Sequence, residues 1–146
     1  MYYFNEYIIK SPNLYKTIKL NFLMARGRIS PDFLVATVLA LSPSLSQSVK
    51  NGMLSEEYLK GRMLHSHSKV LEYAGIRPHQ LHGDSLVLDD AITSLVSRGL
   101  LLRSTGSDDL RWGSIVSPQE YYESEITPTL SPNLRKEVSY FARNLN

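Results

Sequence analysis

The sequence predicts a mainly α fold, a compact bundle of about five helices with one small β-hairpin late in the chain. Three observations carry that prediction. Serine followed by proline recurs as a helix-opening device at Ser11-Pro12, Ser30-Pro31 and Ser131-Pro132, with serine free to cap and proline preset for the first helical position. Apolar residues then recur at three- and four-residue spacing. Only between 100 and 116 do two short apolar runs flank a polar linker, the pattern of a hairpin.

In chain order, Tyr2 to Ile9 is aromatic-rich and ends in Ile8-Ile9, which suits a short strand or a helical turn. The helix opening at Ser11-Pro12 carries Leu14, Ile18, Phe22 and Ala25 as one stripe and ends at Gly27. Lys10, Lys16, Lys19, Arg26 and Arg28 make this segment basic; such a helix could touch a membrane surface or phosphates, and a solvated face is the simpler account. The next helix, 30–41, is apolar on nearly every side from Phe33 to Leu41, so it belongs at the centre of the core. Residues 42–52 are serine-rich, hold Pro43 and end in the turn signal Asn51-Gly52, and they read as a connector with one helical turn.

Ser55 caps a longer helix over 55–74, with Glu56 and Glu57 in its first turn and Leu59, Met63, Val70, Leu71 and Ala74 inward. Gly61 costs that helix about 1 kcal/mol relative to alanine. After a loop broken by Pro78, Asp84 or Ser85 caps a helix running to Arg98, where Gly99 suits the left-handed residue that follows. Leu88, Ala91, Ile92, Leu95 and Val96 form its apolar face, while Asp89 and Asp90 favour the positive end of its dipole. Leu100–Arg103 and Leu110–Val116 are the strand candidates, Leu100 to Leu102 reading as buried, and Ser104–Asp109 is the turn between them. Ser117-Pro118 opens a short helix around Tyr121-Tyr122, and Thr127-Pro128 breaks it. The last helix, from Ser131-Pro132, places Leu134, Val138, Phe141, Ala142 and Leu145 on one face. That face runs on to the final residues without a capping glycine, which predicts a piece of something longer.

The 146 residues suit one helical domain, 1–146. A net charge of +2, from sixteen basic and fourteen acidic residues, is too balanced to argue for nucleic acid. The absence of cysteine excludes disulfides, thiol catalysis and cysteine-ligated metals. No apolar run approaches the roughly 20 residues of a membrane helix, and Met1-Tyr2-Tyr3-Phe4 lacks the basic start of a signal peptide.

Few residues invite chemistry. His79 and Asp84 match the spacing H-x-x-x-x-D, in which a histidine takes a hydroxyl proton and an aspartate orients its ring. They stand in a Pro-Gly loop with no phosphate-binding motif downstream, and Asp84 is better used as a helix cap. His65 and His67 are two apart and leave a helix on different sides, while His79 and His82 lack a nearby third ligand for zinc. Trp112, beside Arg111, is most simply a core or edge aromatic, with stacking on a nucleic-acid base as the alternative. No catalytic, metal-ligating or substrate-binding residue is therefore assigned, and no cofactor is implied. The helices at 30–41, 55–74 and 85–98 followed by the hairpin at 100–116 also trace the element order of a winged helix, whose third helix reads the DNA major groove. Here that helix carries Asp84, Asp89 and Asp90 against Arg98 alone, so phosphates would be repelled and a protein partner is the better expectation.

Three ordered segments resemble the C-terminal region of glycerol-3-phosphate acyltransferases, nearest the animal mitochondrial type. They are Arg28 to Leu41, with its Val35-Ala36 run; Gly83-Asp84-Ser85 continuing to Leu95; and Ile126 to Asn144, ending in Tyr140-Phe141-Ala142-Arg143-Asn144. Phe141 stands where the family pattern often has tyrosine, and one extra residue precedes Asn144. The resemblance implies a non-catalytic part of a membrane-associated enzyme of glycerolipid and phospholipid biosynthesis, one that moves an acyl chain from acyl-CoA to glycerol 3-phosphate. Its partner would be the catalytic acyltransferase domain of the same parent protein. Its place would be the cytoplasmic side of a membrane, the mitochondrial outer membrane in that type. None of the family's catalytic residues maps onto this chain.

Overall fold

A computed structural model describes residues 28–77 and 85–146. The strand or turn expected over 2–9, the helix expected over 11–27, and His79, His82 and Asp84 lie outside the described residues. The rest is mainly helical with a small antiparallel sheet, in the order α1 (Pro31–Leu41), α2 (Pro43–Lys50), β1 (Leu54–Ser55), α3 (Glu56–Leu64), α4 (Lys69–Tyr73), α5 (Leu86–Ser97), β2 (Leu101–Arg103), β3 (Asp109–Trp112), α6 (Pro118–Tyr121) and α7 (Pro132–Arg143). A π-helical turn, Tyr122–Ile126, and a 3-10 turn, Thr127–Thr129, join α6 towards α7.

Helix α1 is the axis of the body. Ser30 accepts from the Phe33 amide at its N-terminus, Pro31 occupies the first turn, and Leu34 to Ala40 are buried without interruption. Burial on every side follows from a sequence with no polar face, and α1 accordingly packs against α2, α5, α6 and α7. Its one buried hydroxyl among these, Thr37, is satisfied by the Phe33 carbonyl at 2.7 Å.

The structure differs from the sequence reading at several places. Residues 43–50 form a full helix, α2, where a connector was expected. Ser42 ends α1 and caps α2 at once, accepting from the Leu45 amide and donating to the Leu145 carbonyl, and the two helices turn 93° apart there. Leu45 and Val49, four residues apart, bury the inner side of α2, so apolar spacing outweighs serine composition. The long helix expected over 55–74 is two. Ser66 donates to the Met63 carbonyl, His67 takes φ 54°, and Ser68 starts α4 by accepting from the Val70 amide. Side chains that compete for backbone groups favour such breaks, while Gly61 sits inside α3 without interrupting it.

The sheet has three strands in the order β1-β3-β2. Beyond the expected hairpin, Leu54–Ser55 pairs antiparallel with β3, Leu54 opposite Leu110. A two-residue strand carries no periodicity to read. Strand β3 ends at Trp112, short of the expected Val116, and in β2 only Leu101 is buried, Leu102 facing out. After Ser117 caps α6 in a capping box with Glu120, the backbone stays helical past Thr127-Pro128 to Thr129, and Leu130 makes the break in extended conformation. Proline needs no hydrogen at that point, so the tighter turn accommodates it.

Candidate functional site

After β1 come three helices, α3, α4 and α5, and then the β2–β3 hairpin, with β3 between its neighbours, so α5 and this wing stand where a winged helix has its recognition helix and wing. The sequence opens α5 with Ser85, whose hydroxyl accepts from the Leu88 amide at 3.1 Å, and ends it before Gly99 at φ 78°. Ser85, one of the two capping candidates, is thus the capping residue. Leu88, Ala91, Ile92 and Leu95 are buried, so the polar edges of α5 face α3, β2 and α1.

Those edges are occupied by the fold itself. Asp89 accepts from Lys60 at 2.8 Å, and Glu57 approaches the same ammonium at 3.0 Å. Burial opposes the charge on Lys60, but these carboxylates outweigh it and hold its pKa above the usual lysine value. Arg103 donates to both oxygens of Glu56, at 3.1 and 3.2 Å, and to the Thr93 hydroxyl at 3.3 Å. The Glu56 hydrogen bond raises the Arg103 pKa further. Arg98 reaches Asp32 at 3.3 Å and Tyr121 at 3.4 Å, and Ser94 donates to the same aspartate. What α5 leaves to solvent is Leu86, Val87, Asp90, Thr93 and Ser97, with no lysine or arginine within its helical span.

The wing is tied back to α3 by Asp108. The Ser55 hydroxyl donates to its carboxylate at 2.7 Å, the Glu57 amide does so at 3.1 Å, and the Glu56 amide donates to its carbonyl at 2.9 Å. The Ser55 hydroxyl first, then the amide, hold the Asp108 carboxyl below the ordinary aspartate range. Ser55 meanwhile accepts from the Tyr58 amide as the helix cap. Sequence reading found the cap but not Asp108, which lies 53 residues away.

A groove of about 450 Å³ opens between the start of α4 and the end of α7. Val70, Phe141 and Leu145 give it an apolar floor, with Lys69, Glu137 and Tyr140 at its sides. Tyr73 donates to Glu137 at 2.8 Å, and that carboxylate raises the tyrosine pKa. His65 ends α3 and His67 occupies the turn before α4, and among the described residues no group of three or more His, Asp or Glu side chains converges as metal ligands would. Trp112 is a core aromatic: it is nearly buried, lies edge-on to Tyr121, and donates from Nε1 to the Val116 carbonyl at 2.7 Å. Arg111 beside it is exposed on the opposite face of β3.

Among the described residues, no single helix is long and apolar enough to cross a membrane. Comparison with known protein families, with curated proteins and with solved structures finds no match.

Proposed function

We propose that the chain is the non-catalytic C-terminal region of a glycerol-3-phosphate acyltransferase, which packs against the catalytic domain of its parent protein at the cytoplasmic side of a membrane such as the mitochondrial outer membrane. The observation that supports this reading is the meeting of the three resembling segments. The first forms α1, the second opens α5 and the third ends in α7, and α1 packs against both of the others. Segments that share one core are constrained together. The polar side chains around α5 are spent on holding the body together, which suits a supporting role.

Incubation of the chain with acyl-CoA and glycerol 3-phosphate tests this. No turnover is expected from the chain alone, and robust turnover would refute the non-catalytic role. Added in trans to a glycerol-3-phosphate acyltransferase catalytic domain lacking this region, the chain should raise that domain's Tm. An unchanged Tm and activity would remove the acyltransferase assignment.

The sheet order β1-β3-β2 behind the exposed wing favours a second reading, a winged-helix-like protein-interaction module. A DNA-reading version is opposed by the exposed Asp90 on α5 and by the lack of any lysine or arginine within that helix, since a carboxylate facing phosphates works against binding.

A further inference from the structure

The wing sheet has one buried face and one open face. Leu54, Leu101, Leu110 and Trp112 turn to the core, and the register pairs Leu54 with Leu110 and Leu101 with Trp112. Successive strand residues alternate faces, so Arg111 and its cross-strand partner Leu102 stand on the outer side. Met53, directly before β1, extends the same row. Met53 is 73% exposed and Leu102 49%, high values for large apolar side chains. Asp109, two residues before Arg111 on the central strand, shares this face.

Two glycines flatten it. A Cβ at Gly52 would stand 2.8 Å from Arg111 Nε, and one at Gly113 would stand 2.8 Å from Leu102 Cγ. The guanidinium and the leucine therefore lie down on bare backbone. Neither Arg111 nor Asp109 takes part in an ion pair among the described residues.

We propose that this face is a self-docking surface, on which two copies of the chain meet sheet to sheet with Arg111 of each facing Asp109 of the other and Met53 and Leu102 closing over the contact. Same-face neighbours on a strand lie about 7 Å apart. A two-fold axis between them exchanges the two positions, so each positive group meets a negative one and each contact is made twice. A single strand thus carries its own charge complement. The flat glycine floor lets two sheets approach to the usual spacing of about 10 Å. Three strands this short bury less than the roughly 1,200 Å² of a stable interface, so the association is weak and concentration-dependent. The inference stands apart from the acyltransferase reading.

Sedimentation of the full chain from about 10 μM to about 1 mM, the range where such weak pairing is populated, tests it. The mass should rise from the 16.6 kDa of one chain towards twice that value. Arg111→Asp and Asp109→Arg should each weaken association at least about tenfold, the measure of about 1.4 kcal/mol, and the two together should restore it. Leu102→Ser, which changes no charge, should also weaken it, and thermal unfolding of each variant separates loss of contact from loss of fold. A chain monomeric throughout the range overturns the proposal. So does a dimer indifferent to these substitutions, or a monomer whose Arg111 variants lose only binding to an acyltransferase catalytic domain.

Discussion

Helix α1 and the wing sheet both bury leucines completely, yet they hold them in different ways. Leu34 and Leu39 are enclosed on all sides by α2, α5, α6 and α7. Leu54, Leu101 and Leu110 are covered on one face only, and the outer side of the same strands carries Arg111, Asp109 and Leu102. The body therefore depends on apolar packing, and the wing depends in addition on groups at its margins: Arg103 on Glu56, Asp108 on the start of α3, and Gly52 beneath Arg111. A substitution in the first region should act through volume. One in the second should act through charge, capping or backbone conformation.

The largest effect is expected at the axis. Leu39 is fully buried, so Leu39→Ala removes its transfer free energy and leaves a cavity between packed helices, at a cost of about 2–5 kcal/mol. Urea unfolding checks this, since the midpoint should fall while the slope keeps its value. A loss under about 1 kcal/mol would mean that the surroundings collapse into the gap, and the contrast with the wing would fail.

Gly52→Ala comes next and probes the margin of the wing. Gly52 sits at φ 70°, where an L side chain is strained, and its Cβ would meet the Arg111 guanidinium. The strain alone costs about 1–2 kcal/mol. Gly106→Ala, at φ 82° with nothing near its Cβ, carries the strain without the clash. If the two variants lose equal stability by thermal unfolding, Arg111 contributes nothing by lying on Gly52.

The same contrast explains what the sequence made legible. Helix α1 was readable because a run without polar residues has one destination, and α5 because Ser85, its apolar stripe and Gly99 mark start, face and stop within a few positions. The wing's third strand, the Asp108 contact and the Arg111–Gly52 approach join residues about fifty positions apart, and no local pattern announces them. The break at His65–Ser68 was missed for another reason. Apolar residues on both sides keep a helical rhythm, while serine hydroxyls at the junction draw off the backbone hydrogen bonds. Of the candidate catalytic pair, both members lie outside the described residues, and His65 and His67 proved to stand at a turn and not along one helix.

The smallest effect belongs to Asp108, and its dependence on pH makes it informative. The carboxylate meets the Ser55 hydroxyl and the Glu57 amide at the positive end of α3. Because it is exposed, screening limits the gain, and Asp108→Asn should cost about 0.3–1 kcal/mol at neutral pH. The folded state holds this carboxyl below its ordinary pKa, so the folded chain binds its proton less readily than the unfolded chain. Its contribution is then complete above the unfolded value of about 4 and fades as pH falls through the lower folded value. The difference in Tm between the two proteins should accordingly be present at pH 7 and close towards pH 2. If the gap persists unchanged into acid, Asp108 holds the wing through hydrogen-bond geometry alone, and the charge assigned to this margin does not stabilise it.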